Sequence, residues 1–224
     1  MGLFYTISYE GLDVLQQKTR RKRSRTDSRT ALLTTARSLF ARSGFHQVSV
    51  DEIADNAHVA KTAIYYHFGN KEGLVIDFLG ERIERLEASL IEAVNAHTEP
   101  RARLKAVFDW HTAWFREPDF AGCVFSRASE EYKGKQDEIA ELSRLQKRSL
   151  RHAVRTLVEG AGVPKDRSDA LAHCMIYLLD GAVVSANVLD EKDAADRAWD
   201  AAMGLLDNEL ARRDGARKNR DDQR

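Results

Sequence analysis

Ser49-Val50-Asp51-Glu52-Ile53-Ala54, followed after a short gap by Val59-Ala60-Lys61-Thr62-Ala63-Ile64-Tyr65-Tyr66-His67-Phe68, decides the fold. Ser49 opens a first short helix with a capping box: its hydroxyl accepts from the amide of Glu52, and the Glu52 carboxylate reaches back to the amide of Ser49. Val48 and Ile53 occupy the two staple positions that fix the entry angle of the chain. Asp51 and Glu52 suit the positive end of the helix dipole. Ile53 and Ala54 face inward, and Asn56-Ala57-His58 forms a turn. A second short helix follows, with Ile64 and Phe68 pinned to the core and Lys61, Thr62, Tyr65, Tyr66 and His67 on the other side. Asn70 caps a further helix that begins at Lys71.

Two short helices joined by a tight turn, the second presenting Lys, Thr and Tyr, have the layout of a helix-turn-helix. Lys61 and Thr62 lie in the first turn of the second helix, where base edges are met in the major groove. Tyr65, Tyr66 and His67 carry donors at phosphate height, and Lys71 is a further phosphate contact. The plain alternative is a helical hairpin with a solvated polar face.

Upstream, Leu32, Leu33, Ala36, Leu39 and Phe40 recur at helical spacing, and Gly44 ends that helix as its C′ residue. With Gly44-Phe45, Ser49-Val50, Ile53-Ala54, Val59, Ile64-Tyr65, Phe68, Lys71 and Leu74, residues 29–74 resemble the N-terminal domain of the TetR/AcrR family of bacterial transcriptional regulators. The resemblance covers the first third of the chain. It implies base contacts from Lys61 and Thr62, phosphate contacts from Ser49, Tyr65, His67 and Lys71, and a thymine-methyl or sugar contact from Tyr66. Two positions depart from the family pattern: His58 stands where the turn usually has Gly, and Ala60 where a small hydroxyl residue usually caps the second helix. His tolerates the left-handed conformation better than most residues. The missing cap costs about 1 kcal/mol.

Charge is divided along the chain. The sequence holds 35 basic and 35 acidic residues, yet residues 1–75 carry 11 Lys/Arg against 7 Asp/Glu. A basic front half suits phosphate on one face only. Much of it lies in Lys18, Arg20, Arg21, Lys22, Arg23 and Arg25, either an arm along the DNA or a solvated tail. Residues 1–26 are read as a flexible basic extension, 27–75 as the helix-turn-helix domain, 76–213 as a helical effector-binding and dimerisation domain, and 214–224 as a charged mobile tail. The chain reads as all-α, with about nine helices. No uninterrupted apolar run is long enough to span a bilayer, so a soluble, cytoplasmic protein with no membrane partner is expected. Cys123 and Cys174 give no disulfide framework. No metal-ligand spacing recurs, no nucleophile, acid and base cluster together, and neither a cofactor nor an enzyme activity is expected.

Leu74, Phe78, Ile83, Leu86, Leu90 and Val94 mark one long helix ending before Pro100. An effector pocket is expected from Phe108, His111, Trp114, Phe115, Phe120, Cys123 and Phe125, closed by Met175 and Tyr177, since an apolar cavity with few polar anchors is the usual small-molecule site. Plain core packing is the alternative. Residues 168–188 and 191–211 form an association surface, with Leu171, Met175, Leu178, Gly181, Ala182, Ser185 and Ala186 meeting a partner copy in a four-helix bundle. The expected function is a ligand-responsive, dimeric regulator: a repressor released from a palindromic DNA operator by a small molecule. Competing readings are a helical small-molecule binder or enzyme of the same fold that has lost DNA, or a redox sensor acting through Cys123.

Overall fold

The computed structural model describes the backbone of residues 23–221 and the side chains of residues 27–215. Among the described residues there are nine helices and no strand: α1 (Arg23–Ser43), α2 (Val50–Asn56), α3 (Lys61–Phe68), α4 (Lys71–Asn95), α5 (Pro100–Phe115), α6 (Val124–Tyr132), α7 (Asp137–Gly160), α8 (Lys165–Val188) and α9 (Ala194–Asp221). They form two compact units, residues 23–84 with Val124–Leu145, and Arg85–Cys123 with residues 146–221. Thus α4 and α7 each run from one unit into the other.

In the first unit, α1, α2 and α3 pack on one another. Leu32, Ala36, Phe40, Phe45, Val48, Ile53 and Ile64 are fully buried, and Leu74, Val75 and Leu79 from the start of α4 join them. Phe40, Phe45 and Phe78 meet ring on ring, with centroids 4.9–6.2 Å apart. The expected caps and the glycine stop are present, although the return bond from the Glu52 carboxylate to the Ser49 amide is not found among the described residues. Ser49 Oγ accepts from the amide of Glu52 at 3.0 Å, Asn70 Oδ1 accepts from the amide of Gly73 at 2.7 Å, and Gly44 leaves α1 with φ at +79°. His58 takes a left-handed φ of 54°, so the turn keeps the conformation that the family's usual glycine would adopt. Ala60 occupies the N-cap of α3 with no side-chain hydrogen bond.

In the second unit, α5, α8 and α9 pack against one another. Leu171, Met175, Ala182 and Ala186 of α8 are buried, as are Ala195, Ala202 and Leu206 of α9. This corrects part of the expected association face: four residues of the stripe assigned to a partner copy fill the core of the protomer itself, while Leu178 and Ser185 are half-buried and Gly181 is exposed. The apolar residues left outside are Tyr177, Val184, Val188, Leu189 and Leu205. α8 is also long and apolar enough to cross a membrane by length and composition, a property the sequence reading missed. Much of its apolar surface is used for packing, and Asp180 interrupts it with an ion pair to Lys147.

The ends of the chain differ from expectation too. α1 begins at Arg23, so the last four residues of the expected flexible extension are helical. Lys18, Arg20, Arg21 and Lys22 lie outside the described residues. α9 continues to Asp221, through most of the expected tail. Arg213 ties it down by donating to the Gly162 carbonyl at 3.1 Å, and no proline stops the helix.

Placing a hydroxyl at the empty cap should strengthen α3. Ala60→Ser is expected to stabilise the chain by about 1 kcal/mol, visible in thermal unfolding as a midpoint raised by about 2–4 °C.

Candidate nucleic-acid interface and aromatic interior

α3 has one buried side, carried by Ile64, and one open side. Lys61 and Thr62 are exposed in its first turn, and Tyr65 and Tyr66 follow at 49% and 60% exposure. His67 is half-buried, its ring edge-on to Tyr66 at 5.1 Å. Phe68, expected in the core, is only half-buried, with the Arg29 guanidinium 5.6 Å above its ring. Of the seven residues singled out for DNA, five therefore stand on one short helix. Ser49 and Lys71 flank it at the starts of α2 and α4.

Lys61 and Lys71 each already have a partner. Lys61 Nζ lies 2.8 Å from Asp51 Oδ1, and the hydrogen bond to Asp51 raises the Lys61 pKa above its ordinary value. Lys71 Nζ donates to the His46 carbonyl at 3.3 Å, and partial burial lowers its pKa.

Sequence reasoning missed two residues on α6. Arg127 Nη1 donates to the carbonyls of Phe40 and Ala41, at 3.1 and 2.8 Å. The Glu131 carboxylate accepts from the amides of Phe45 at 3.1 Å and His46 at 2.6 Å. Tyr132 packs edge-on against His46 at 4.7 Å. Its hydroxyl is buried without a hydrogen-bond partner among the described residues, and burial pushes its pKa up to about 12. The available signal was Gly44: a Cβ there would stand 2.6 Å from Glu131 Oε1, so this glycine permits a close approach as well as a turn.

The second unit holds an aromatic cluster. Trp114 and Phe120 meet at 5.1 Å, Phe115 and Phe120 at 5.2 Å, and Phe108 and Trp199 at 5.2 Å. The Lys192 ammonium lies 5.0 Å from the Phe120 ring centroid. His111 is buried among these rings, 6.2 Å from Phe115. Its Nδ1 is 2.8 Å from the Val107 carbonyl, which can only accept, so Nδ1 carries the proton and Nε2 keeps its lone pair. Burial holds the ring neutral, with its pKa lowered from 6.5 to about 4; Lys147 lowers it further, while Val107 and Asp180 oppose the shift.

The expected pocket set divides. His111, Trp114, Phe115 and Phe120 come together, Phe108 one turn earlier on α5 meets Trp199, Met175 is buried on α8, and Cys123 is half-buried just before α6. Phe125 is buried in the first unit. Tyr177 is 67% exposed on the outside of α8 and closes nothing, because its side of that helix faces away from α5 and α9.

Comparison with known proteins agrees with this architecture. A family model described as bacterial regulatory proteins, tetR family, matches residues 32–78. A second, described as a tetracyclin repressor-like C-terminal domain, matches residues 100–202. Among curated proteins, the chain is 34% identical over 85 residues to the HTH-type transcriptional activator FasR of Mycolicibacterium smegmatis, covering 38% of this chain and 39% of that protein. It is 35% identical over 79 residues to the HTH-type transcriptional repressor KstR2 of Rhodococcus jostii, covering 35% of this chain and 39% of that protein. The match thus spans about two-fifths of the length of these relatives. A TetR-family transcriptional regulator from Streptomyces coelicolor shares the fold, with a TM-score of 0.77 at 23% identity over 82% of this chain and 96% of that one.

The buried imidazole makes folding sensitive to acid. His111 is neutral when folded but binds a proton below pH 6.5 when unfolded, so stability is intact above that pH and falls as the pH drops toward about 4. The loss amounts to ~3 kcal/mol. In denaturant titrations at stepped pH, His111→Phe should flatten this part of the native profile.

Proposed function

This chain belongs to the TetR family of bacterial regulatory proteins, and we propose that it regulates transcription as a homodimer that binds a palindromic DNA operator through α3 and leaves it when a small molecule binds the second unit. The observation that carries the reading is the division of α3, whose inner side is anchored by Ile64 while Lys61, Thr62, Tyr65 and Tyr66 face solvent. Lys61 and Thr62 read base edges: the ammonium suits the O6/N7 pair of guanine, and the threonine methyl suits thymine. Ser49, Tyr65, His67 and Lys71 hold the backbone, and Tyr66 meets a sugar or a thymine methyl. Regulation takes place where the DNA is, in the cytoplasm.

The domains follow the same division. Residues 27–75 with the first turns of α4 form the reader, and the helices beyond hold the effector site and the dimer contact. The effector lies against Phe108, His111, Trp114, Phe115 and Phe120, where His111 Nε2 selects for a hydrogen-bond donor on an otherwise apolar molecule. Effector binding releases DNA to the extent that the effector prefers the conformation that does not fit the operator. The family relationship does not favour an enzyme, a DNA-independent binder or a Cys123 redox sensor. Where the operator overlaps the promoter, the dimer represses.

The dimer contact is the outer side of α8. Tyr177, Gly181, Val184 and Val188 recur at alternating steps of four and three, so they share one face. Exposed β-branched and aromatic residues in line on one helix suit a two-fold helix pairing. Val184→Glu is expected to convert the dimer to a monomer in analytical ultracentrifugation; an unchanged dimer would assign the contact elsewhere.

Selection of bound duplexes from a random DNA pool tests the main proposal. Native protein should enrich a palindrome, and Lys61→Ala should weaken binding to it by about tenfold or more. If the folded, effector-free dimer enriches nothing, the DNA-reading assignment fails.

A further inference from the structure

α6 makes an unusual use of two side chains one turn apart. Arg127 and Glu131 are spaced i, i+4, the arrangement in which opposite charges on a helix commonly pair with each other. Here both reach across to the same corner of the first unit. Arg127 donates to Phe40 O and Ala41 O at the end of α1, where the dipole is negative and the last carbonyls run out of helical donors; Phe40 O also accepts from the Gly44 amide at 3.0 Å. Glu131 takes the next two free amides, Phe45 N on Oε1 and His46 N on Oε2. The corner is thus capped twice, by a cation on its carbonyls and an anion on its amides. Gly44, between the two sets, leaves room for the Glu131 carboxylate. From the other side, Lys71 Nζ donates to His46 O. Three residues after His46, Ser49 starts α2.

We propose that Arg127 and Glu131 act as a latch, positioning the corner between α1 and α2 so that α2 and α3 meet DNA at the angle that sequence reading requires. Both are positioning residues, and the inference rests on the DNA-reading function proposed above. Its chemistry is specific. Glu131 uses both carboxylate oxygens on N–H donors, so the amide of Glu131→Gln would turn a donor toward one of them, in a side chain of nearly unchanged size. Arg127→Lys keeps a cation able to donate to the two carbonyls, although without the planar fork.

The test compares native protein, Glu131→Gln, Arg127→Ala and Arg127→Lys on the selected palindrome and on a scrambled duplex of equal length, with thermal unfolding as a control for folding. Glu131→Gln and Arg127→Ala should each lose about tenfold in affinity for the palindrome. Their affinity for scrambled DNA should not change, and Arg127→Lys should recover most of the loss. In native protein, amide exchange at Phe45 and His46 should be slower on the palindrome than on scrambled DNA, a measurement that needs no variant to fold. Equal palindrome affinity in all four proteins overturns the latch while leaving DNA reading intact. Equal losses on both duplexes, or equal amide exchange on both, reduce it to a structural cap and overturn it as well. If native protein does not prefer the palindrome, the DNA-reading assignment fails, and the latch with it.

Discussion

An eight-residue helix does not sustain itself in water, because the cost of nucleation is not recovered in so few turns. α3 is such a helix, and its own N-cap contributes no side-chain bond. What holds it is the burial of Ile64 against α1 and α2, together with a turn forced through a left-handed residue at His58. The rest of the first unit can be understood as support for this one element. The phenylalanines of α1, α4 and the intervening corner build a ring cluster in the core of the same unit. α6 then fastens the corner with the charges of Arg127 and Glu131 as well as with the Tyr132 ring.

The second unit meets a different constraint. Its aromatic rings lie close enough to exclude water from His111, and the imidazole accepts this by staying neutral and turning Nδ1 toward its own helix. Of its two nitrogens, Nδ1 is satisfied by the Val107 carbonyl. The ring is anchored through the backbone, so its orientation does not depend on a mobile partner.

Most of the helices were legible in the sequence, since Gly44, the Ser49 cap, the Asn70 cap, Pro100 and the Gly160–Pro164 break are local signals that act within a few residues. The side of α8 that faces inward was not. That helix carries apolar residues around most of its circumference, so periodicity cannot choose between Met175 and Tyr177, and only the placement of α5 and α9 decides. The helical ends at Arg23 and Asp221 were hidden by dense charge, which reads as solvated chain whether or not the backbone is coiled. Arg127 and Glu131 carried no local signal, since nothing in their own helix shows that both reach across to the end of α1. Of the residues expected at the reading surface, the five on α3 lie together because one short helix carries them; Phe125 and Tyr177 were grouped with the aromatic cluster on composition alone, which says nothing about direction.

The contact between Lys61 and Asp51 has a consequence for discrimination. An ammonium that already holds a carboxylate does not approach a duplex as a bare cation. In the proposed complex it must exchange one anionic partner for a base edge, leaving Asp51 facing a polyanion. On random DNA that exchange returns little, so the general attraction that would detain the protein at wrong sites is reduced. In that proposed complex, counterion release, the main source of indiscriminate affinity, is smaller at Lys61 than at an unpaired lysine. Selectivity at this position then comes less from added attraction to the right sequence than from attraction withheld from all the others.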